Sequence, residues 1–364
     1  MTKQNLLDFS FIVTTRNDNH GGNMYLKNQF FVNRWAYNVK KLDINCELII
    51  VDWNSPEKLR NKIKIPKLGK NQSIRIIEVP NKIHKKFKHY KKLNMFQMIA
   101  KNVGARRAMG KYLILTNVDI IFSNSLLEFL KNIKLNEDYI YRADRYDINF
   151  NKFNNFKINE QYLNTNITHI NKKYYTHDII KNIKYWTYNS FLGAIINSLK
   201  FFSFVIINLI KKKSIIKYIK FKLNIFYIIN NLKIILDIII SPKLHTNACG
   251  DFQLLSKKTF FNLCGYYEYD GYSFHVDSIL MWKAYFMGYK FKELKFKIFH
   301  INHTGGYENS KDLFKNLKKK DINYISNNKL INIIKILKSN ASYLGDAKFG
   351  LVDYNLNEFF FNKN

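Results

Sequence analysis

Cysteine is scarce in this chain. Only Cys46, Cys249 and Cys264 occur among 364 residues, and no two stand in a C-x-x-C spacing. So sparse and odd a set excludes a disulfide framework and points to a reducing compartment. Acidic side chains are also few: 27 Asp and Glu stand against 59 Lys and Arg, a formal net charge of +32. No RNA-binding signature or zinc-finger spacing accompanies that excess, so nucleic acid is not the expected partner. The opening MTKQNLLDFS has no basic segment followed by an apolar one, so no signal peptide is expected. Internal repeats are absent. A Gly-rich phosphate loop is missing after the first apolar run, where residues 16–23 supply only Gly21-Gly22.

What is present makes a globular chain, 47% apolar and 16% aromatic. Its length suits two domains, or one large α/β domain with an insertion, and is ample for a core. The positive charge has two readings. One is plain composition, dominated by Lys, Asn and Ile. The other is an anionic partner, such as a membrane surface or a phosphorylated substrate.

The most informative stretch is residues 102–122, NVGARRAMGKYLILTNVDIIF. Met95, Ile99 and Val103 recur at i, i+4, i+8, which predicts a helix with one buried face. Gly110 ends it. A short apolar run over 112–115 then predicts a strand, closing in Thr116-Asn117-Val118-Asp119. Open α/β sheets bind ligands beyond the carboxyl ends of their strands. Asp119 stands there, and a carboxylate suits a hard cation that would in turn hold a diphosphate. A helix-capping Asp fits the same position.

The order helix, Gly-Lys-Tyr, apolar strand, acid resembles the middle of nucleotide-sugar glycosyltransferases of the GT-A fold, of the family-2-like kind. There an Asn-x-Gly-x-x-x-Ala-x-Gly helix precedes a strand with a metal-binding Asp-x-Asp. This chain has Asn102, Gly104, Ala108 and Gly110, then Asn117-Val118-Asp119. Asn117 replaces the first acid with a neutral, weaker ligand. The resemblance covers roughly residues 9–143 and 247–306. It implies an α/β fold with a mostly parallel sheet flanked by helices, a nucleotide-sugar donor, and Mg²⁺ or Mn²⁺. It also implies inverting transfer to a glycan or lipid-linked acceptor, for the cell envelope.

Taken in order, the β-branched apolar run Phe9–Thr15 predicts a buried parallel strand. The resemblance places the nucleotide at the loop that follows. Arg16 would pair with the diphosphate and Asn17 would fix base or ribose, though both also suit a turn and cap. A helix is expected over 24–37 and a strand over 47–51. Asp52 at that strand's end is matched to the nucleobase contact; it also suits an Asx-turn before Pro56. A third strand is expected over 73–79. The lysine run over 81–93 reads as solvated surface, or as lying near donor phosphates or a membrane. On the next helix, Asn102, Arg107 and Asn117 beyond it join the expected donor contacts, with Arg106 or Arg107 reaching the pyrophosphate.

A helix over 125–133 and a strand over 139–143 follow, then Asp144-Arg145-Tyr146-Asp147, polar enough to face a cleft. Residues 149–188 read as loops and short elements that could face the acceptor. Residues 191–240 interleave apolar runs with Lys, and predict helices at a membrane interface, or an ordinary docked helical insertion, or a spanning helix. Beyond them Gly250-Asp251 precedes a short strand, and residues 261–268, FNLCGYYE, resemble the acceptor-side F-x-x-x-G-x-Φ-E segment. Asp277, opening a helix over 278–287, matches the family's catalytic base, and Asp251 would line the acceptor side. Asp277 also suits the N-cap of that helix. Alternation over 290–300 predicts a strand delivering His300. His300 and His303 are candidates to complete a metal site with Asp119.

The expected plan is a donor half at 8–150, a helical insertion at 151–245, an acceptor half at 246–310 and a peripheral tail at 311–364. The expected protein is a glycosyltransferase on the cytoplasmic side, peripheral at the inner face of the membrane. A basic binding protein for anionic polymers, and a nucleotidyltransferase on a related α/β fold, are the alternatives.

Overall fold

A computed structural model describes residues 7–18, 22, 24–171, 244–302 and 310–362. His303 and the helices expected over 191–240 lie outside the described residues. Residues 172–245 form a unit of their own, and everything below concerns the other unit.

Four apolar runs make the centre of a ten-stranded sheet: β1 (Phe9–Thr15), β2 (Cys46–Trp53), β3 (Gln72–Val79) and β4 (Tyr112–Thr116). They stand in the order β3-β2-β1-β4, all parallel. Every residue of β1, β2 and β4 is buried, as expected of parallel strands covered on both faces. Long helices supply two of the crossovers: α1 (Met24–Lys41) joins β1 to β2, and α4 (Gln97–Arg107) leads into β4. The short α2 (Leu59–Lys62) and α3 (Asn81–His84) fill the remaining connections. One core cluster gathers Phe11, Trp35, Leu48, Ile114 and Phe122.

Beyond β4 the pairing becomes mixed. β4 lies antiparallel to β8 (Phe252–Ser256), and β8 antiparallel to β6 (Tyr139–Ile148). β6 runs parallel to β9 (Lys290–Ile301), which pairs antiparallel with β5 (Ile120–Phe122). β7 (Ile167–Asn171) hangs on β6. The α/β architecture expected from the sequence is thus the one observed.

Helix α5 (Asn124–Asn132) starts where Ser123 accepts from the Leu126 amide, and α7 (Lys257–Asn262) where Ser256 accepts from Thr259. Helices α6 (Glu160–Thr165), α8 (Val276–Phe286), α9 (Ser310–Lys319) and α10 (Asn327–Ser339) complete the layers. No helix among the described residues is long and apolar enough to cross a membrane.

Two elements differ from the sequence expectation. β6 continues to Ile148, so Asp144 to Asp147 lie inside a strand and not beyond its end. Residues 149–171 hold α6 and β7, short elements among loops as expected. The tail returns to the sheet: β10 (Asn357–Asn362) pairs antiparallel with β3 at the edge. Arg75 and Arg107 both grip Glu358 there, at 3.0 and 3.3 Å.

Candidate active site

Strand register assembles the site. Thr116 of β4 stands opposite Phe252 of β8, so the residues just beyond these ends adjoin. Thr116 Oγ1 donates to the Asp251 carbonyl at 2.8 Å, and Asn117 Nδ2 donates to Asp251 Oδ1 at 2.7 Å. The chain then turns through Asp119 into β5. Pairing of β5 with β9 sets Ile120 opposite His300, which leaves His300 Nε2 3.6 Å from Asp119 Oδ2. Pairing of β6 with β9 aligns Asp147 with His300, whose Nδ1 lies 2.8 Å from Asp147 Oδ1. Two positions earlier on β6, and so on the same face, Arg145 donates from Nη2 to Asp147 Oδ2 at 3.3 Å and from Nη1 to Asp251 Oδ2 at 2.8 Å.

The result is one continuous polar chain: Asp119, His300, Asp147, Arg145, Asp251, Asn117. Burial alone would lower the His300 pKa, but Asp119 and Asp147 more than offset it and raise it to about 9. Burial likewise opposes the charge of Arg145, while Asp251 and Asp147 hold it ionised, with its pKa raised. Burial would raise the Asp147 carboxyl, yet His300 and Arg145 hold it below the usual range.

Asp277 reaches the same place from α8. The residue before that helix, His275, takes a left-handed conformation (φ 65°) and occupies the N-cap, so Asp277 sits within the first turn instead. The short turn Cys249–Asp251 lies against it: a Cβ on Gly250 would come 2.9 Å from Asp277 Oδ2. Beneath that turn is Lys101 of α4, fully buried, its Nζ donating to the Gly250 carbonyl at 2.6 Å. Burial lowers the Lys101 pKa to about 8, against the pull of Asp251, Asp277 and Asp119.

The loops after β1 and β2 interlock on the other side. Arg16 Nε donates to the Asn54 carbonyl at 2.9 Å, and its Nη1 pairs with Asp18. Asn17 donates its backbone amide to Ser55 Oγ (2.7 Å) and its side chain to the Glu57 carbonyl (2.9 Å). Asp52 is only 3% exposed. Its Oδ1 accepts from Ser55 and its Oδ2 from the Leu59 amide at 2.8 Å, and burial raises its pKa. Both oxygens thus fix the turn, the role open to it besides a base contact.

Two expected donor contacts are placed elsewhere. Asn102 gives one amide hydrogen to the Tyr266 carbonyl and the other to Glu268, and accepts from the Tyr266 amide. Arg107 donates to the carbonyls of Val103, Gly350, Leu351 and Tyr354 and pairs with Glu358. Neither side chain has a polar hydrogen left for a nucleotide. They tie α4 to the acceptor-side loop and to the C-terminal segment. Arg106 does likewise, donating to the carbonyls of Phe349 and Ala347.

The structure adds four residues to the site. Arg145 and Asp147 were legible only as a polar cluster, and their period of two was the available signal. Lys27 of α1 is buried with its charge set against Asp119, and Lys101 lies under Gly250. A lysine in a helical stretch carries no mark of such burial. Asn117, expected as a weak ligand, has its oxygen occupied by Gln97 Nε2 at 3.0 Å. Among the described residues no group of three His, Cys, Asp or Glu side chains converges as a metal cage, and Asp119 with His300 is the adjoining pair.

What the coordinates define is an α/β protein with a charged network at the ends of its central strands. No family model and no curated protein matches the chain. Among solved structures it is similar to GalNAc-T7, crystallised with UDP, GalNAc and Mn²⁺, at 13% identity over 95% of this chain and 54% of that one, with a TM-score of 0.41. It is also similar to S. aureus TarS 1-349, at 12% identity over 81% of this chain and 60% of that one, with a TM-score of 0.37. The chain spans less than two thirds of either structure.

Proposed function

We propose that this chain is a glycosyltransferase of GT-A architecture, moving a sugar from a nucleotide-sugar donor to a glycan or lipid-linked acceptor. One observation carries the reading: beyond the ends of β4 and β8, Asp119 lies beside His300, Asn117 bonds Asp251, and Asp277 lies against Gly250, the neighbour of Asp251. That gives one charged pair for a donor diphosphate and one for an acceptor hydroxyl.

In the transfer, the acceptor oxygen bonds to the anomeric carbon while the bond from that carbon to the diphosphate oxygen breaks. The nucleoside diphosphate leaves with the bonding electrons, and the configuration inverts. Asp277 takes the hydroxyl proton. Asp251, held through both oxygens by Asn117 and Arg145, lines the acceptor side in one orientation. Arg16 and Lys27 supply positive charge on the donor side.

The Asp119–His300 pair would fit a divalent cation that displaces the imidazole proton the two carboxylates otherwise favour. Mg²⁺ takes one or two carboxylates and completes its shell with phosphate and water. Asp147 at Nδ1 directs His300 Nε2 toward Asp119, as the second shell of a metal-bound histidine does. When bound, Mg²⁺ or Mn²⁺ would offset the charge gathering on the leaving diphosphate.

A binding protein for anionic polymers would have no use for a buried carboxylate–histidine–arginine chain. A nucleotidyltransferase would release pyrophosphate from a nucleoside triphosphate. Calorimetry with nucleoside diphosphates, with and without Mn²⁺, tests the donor half: Mn²⁺ should tighten binding to the parent but not to Asp119→Ala. Equal tightening in both would remove Asp119 from the site. A role in cell-envelope synthesis at the membrane's inner face belongs to the same proposal, on the apolar and basic sequence of residues 191–240. Failure of the chain to float with anionic vesicles at low salt would contradict that location.

A further inference from the structure

The loop that leads into Asp277 is held between two lysine-bearing segments. The first runs from Asn81 to Leu93 and contains six lysines and no acidic residue. It is anchored from below: Trp53 Nε1 donates to His84 Nδ1 at 3.0 Å, which leaves His84 Nε2 to donate to the Tyr90 carbonyl at 2.9 Å. The second is α9 with the turn that follows it. The Lys88 amide donates to Asp270 Oδ2 of the loop at 2.6 Å. From the other side, the Tyr272 amide donates to the Asn323 carbonyl at 2.8 Å, and Phe274 packs on Phe314 of α9 with centroids 4.9 Å apart. Gly271 is required here, because a Cβ would run into the Asn323 carbonyl. Lys92 Nζ closes the two segments on each other, donating to the Asp321 carbonyl at 3.0 Å.

The outward face of this clamp is basic. Lys85, Lys88, Lys91, Lys315, Lys318 and Lys319 are all exposed. None of the six has a carboxylate partner among the described residues. Some lysines elsewhere do have acids, Lys58 with Glu78, Lys62 with Glu57 and Lys111 with Glu137. The loop's own acids are turned inward, Glu268 to Asn102 and the Gly350 amide, Asp270 to the Lys88 amide. Clustered like charges repel one another, and an anionic ligand relieves that repulsion.

We propose that this lysine rim receives an anionic acceptor: a glycan chain bearing phosphate or carboxylate groups along its length, whose terminal hydroxyl reaches Asp277. The proposal rests on Asp277 marking the acceptor side. A membrane surface would want the same charge. The rim, however, borders the loop that positions Asp277, and its two halves meet at that loop and at the Lys92 contact. This placement suits a substrate that threads past the site.

The test uses the full chain and fluorescein-labelled inorganic polyphosphate, read by anisotropy. Parallel arms measure nucleoside diphosphate with Mn²⁺ by calorimetry, and flotation with phosphatidylglycerol vesicles. The rim variant is Lys88→Ala/Lys91→Ala/Lys318→Ala/Lys319→Ala. The control is Lys131→Ala/Lys134→Ala/Lys292→Ala/Lys295→Ala, which removes equally exposed lysines outside both segments. The rim variant should bind polyphosphate at least tenfold more weakly than the parent, the control within twofold, and nucleoside diphosphate should bind all three alike. Equal loss in rim and control would mean diffuse charge and overturn the proposal. A rim variant that loses vesicles but keeps polyphosphate would make the surface a membrane one. A parent that binds polyphosphate and no nucleoside diphosphate would keep the anion surface while ending its assignment as an acceptor site.

Discussion

Gly250→Ala should slow transfer while leaving the fold intact. The new Cβ would stand 2.9 Å from Asp277 Oδ2 and 3.4 Å from the Met98 side chain, where ordinary contact begins at 3.4 Å. The carboxylate must therefore give by about half an ångström (3.4 less 2.9). It cannot take Asp277's backbone with it, because that residue is inside the first turn of α8 and its Oδ1 receives the Ser278 amide at 2.9 Å. The carboxylate swings instead. A misplacement of 1 Å at a reacting group costs on the order of 100-fold, so half of that costs about tenfold in kcat. Stability should hardly move. Gly250 does not use the left-handed region, and alanine at a compatible glycine stabilises by about 0.4–1 kcal/mol through the unfolded chain. The assays are initial rates of sugar transfer and a thermal melt. A variant that melts like the parent and transfers within twofold of it would show that the position of the Asp277 carboxylate does not set the rate.

Other consequences follow from the same contacts. Arg107→Met should lower the melting temperature, because it frees the carbonyls of Gly350, Leu351 and Tyr354 and leaves Glu358 to Arg75 alone, each lost charged bond costing about 1.5–3 kcal/mol. Nucleoside diphosphate affinity should not change; a selective loss of affinity would return Arg107 to the donor site. Lys101 has a folded pKa of about 8 against an ordinary 10.5, so between those values the unfolded chain binds more protons and stability rises with pH. Melts of the parent and Lys101→Met across that window should therefore converge or cross as pH rises, the parent gaining relative to the variant. A constant difference would remove Lys101 from the buried, titrating position.

The central strands were legible because parallel strands buried on both faces are continuous apolar runs, and the Phe9–Thr15 boundaries are the same in sequence and structure. Asp119 was legible because it follows such a run. The second half of β6 was not, since Arg145 and Asp147 interrupt its apolar pattern. Pairing across strands was also hidden: nothing local says that Asp147 will stand opposite His300. Asn102 and Arg107 matched a motif in position, yet their partners lie more than a hundred residues away, in segments the motif does not include. β10 reads as surface because only one face of that edge strand is covered, and Phe360 remains 54% exposed.

Asp277→Asn tests the central claim most directly. The substitution keeps the side chain's shape and an oxygen to receive the Ser278 amide, so the fold should be unchanged. It removes the group that takes the acceptor's proton. Transfer from a nucleotide-sugar donor should fall by about 10²–10⁴-fold, the contribution of a positioned general base. Nucleoside diphosphate should bind as tightly as before, because the proposed donor site lies at Asp119, His300 and the loops after β1 and β2. Transfer at the parent rate by Asp277→Asn would contradict the account.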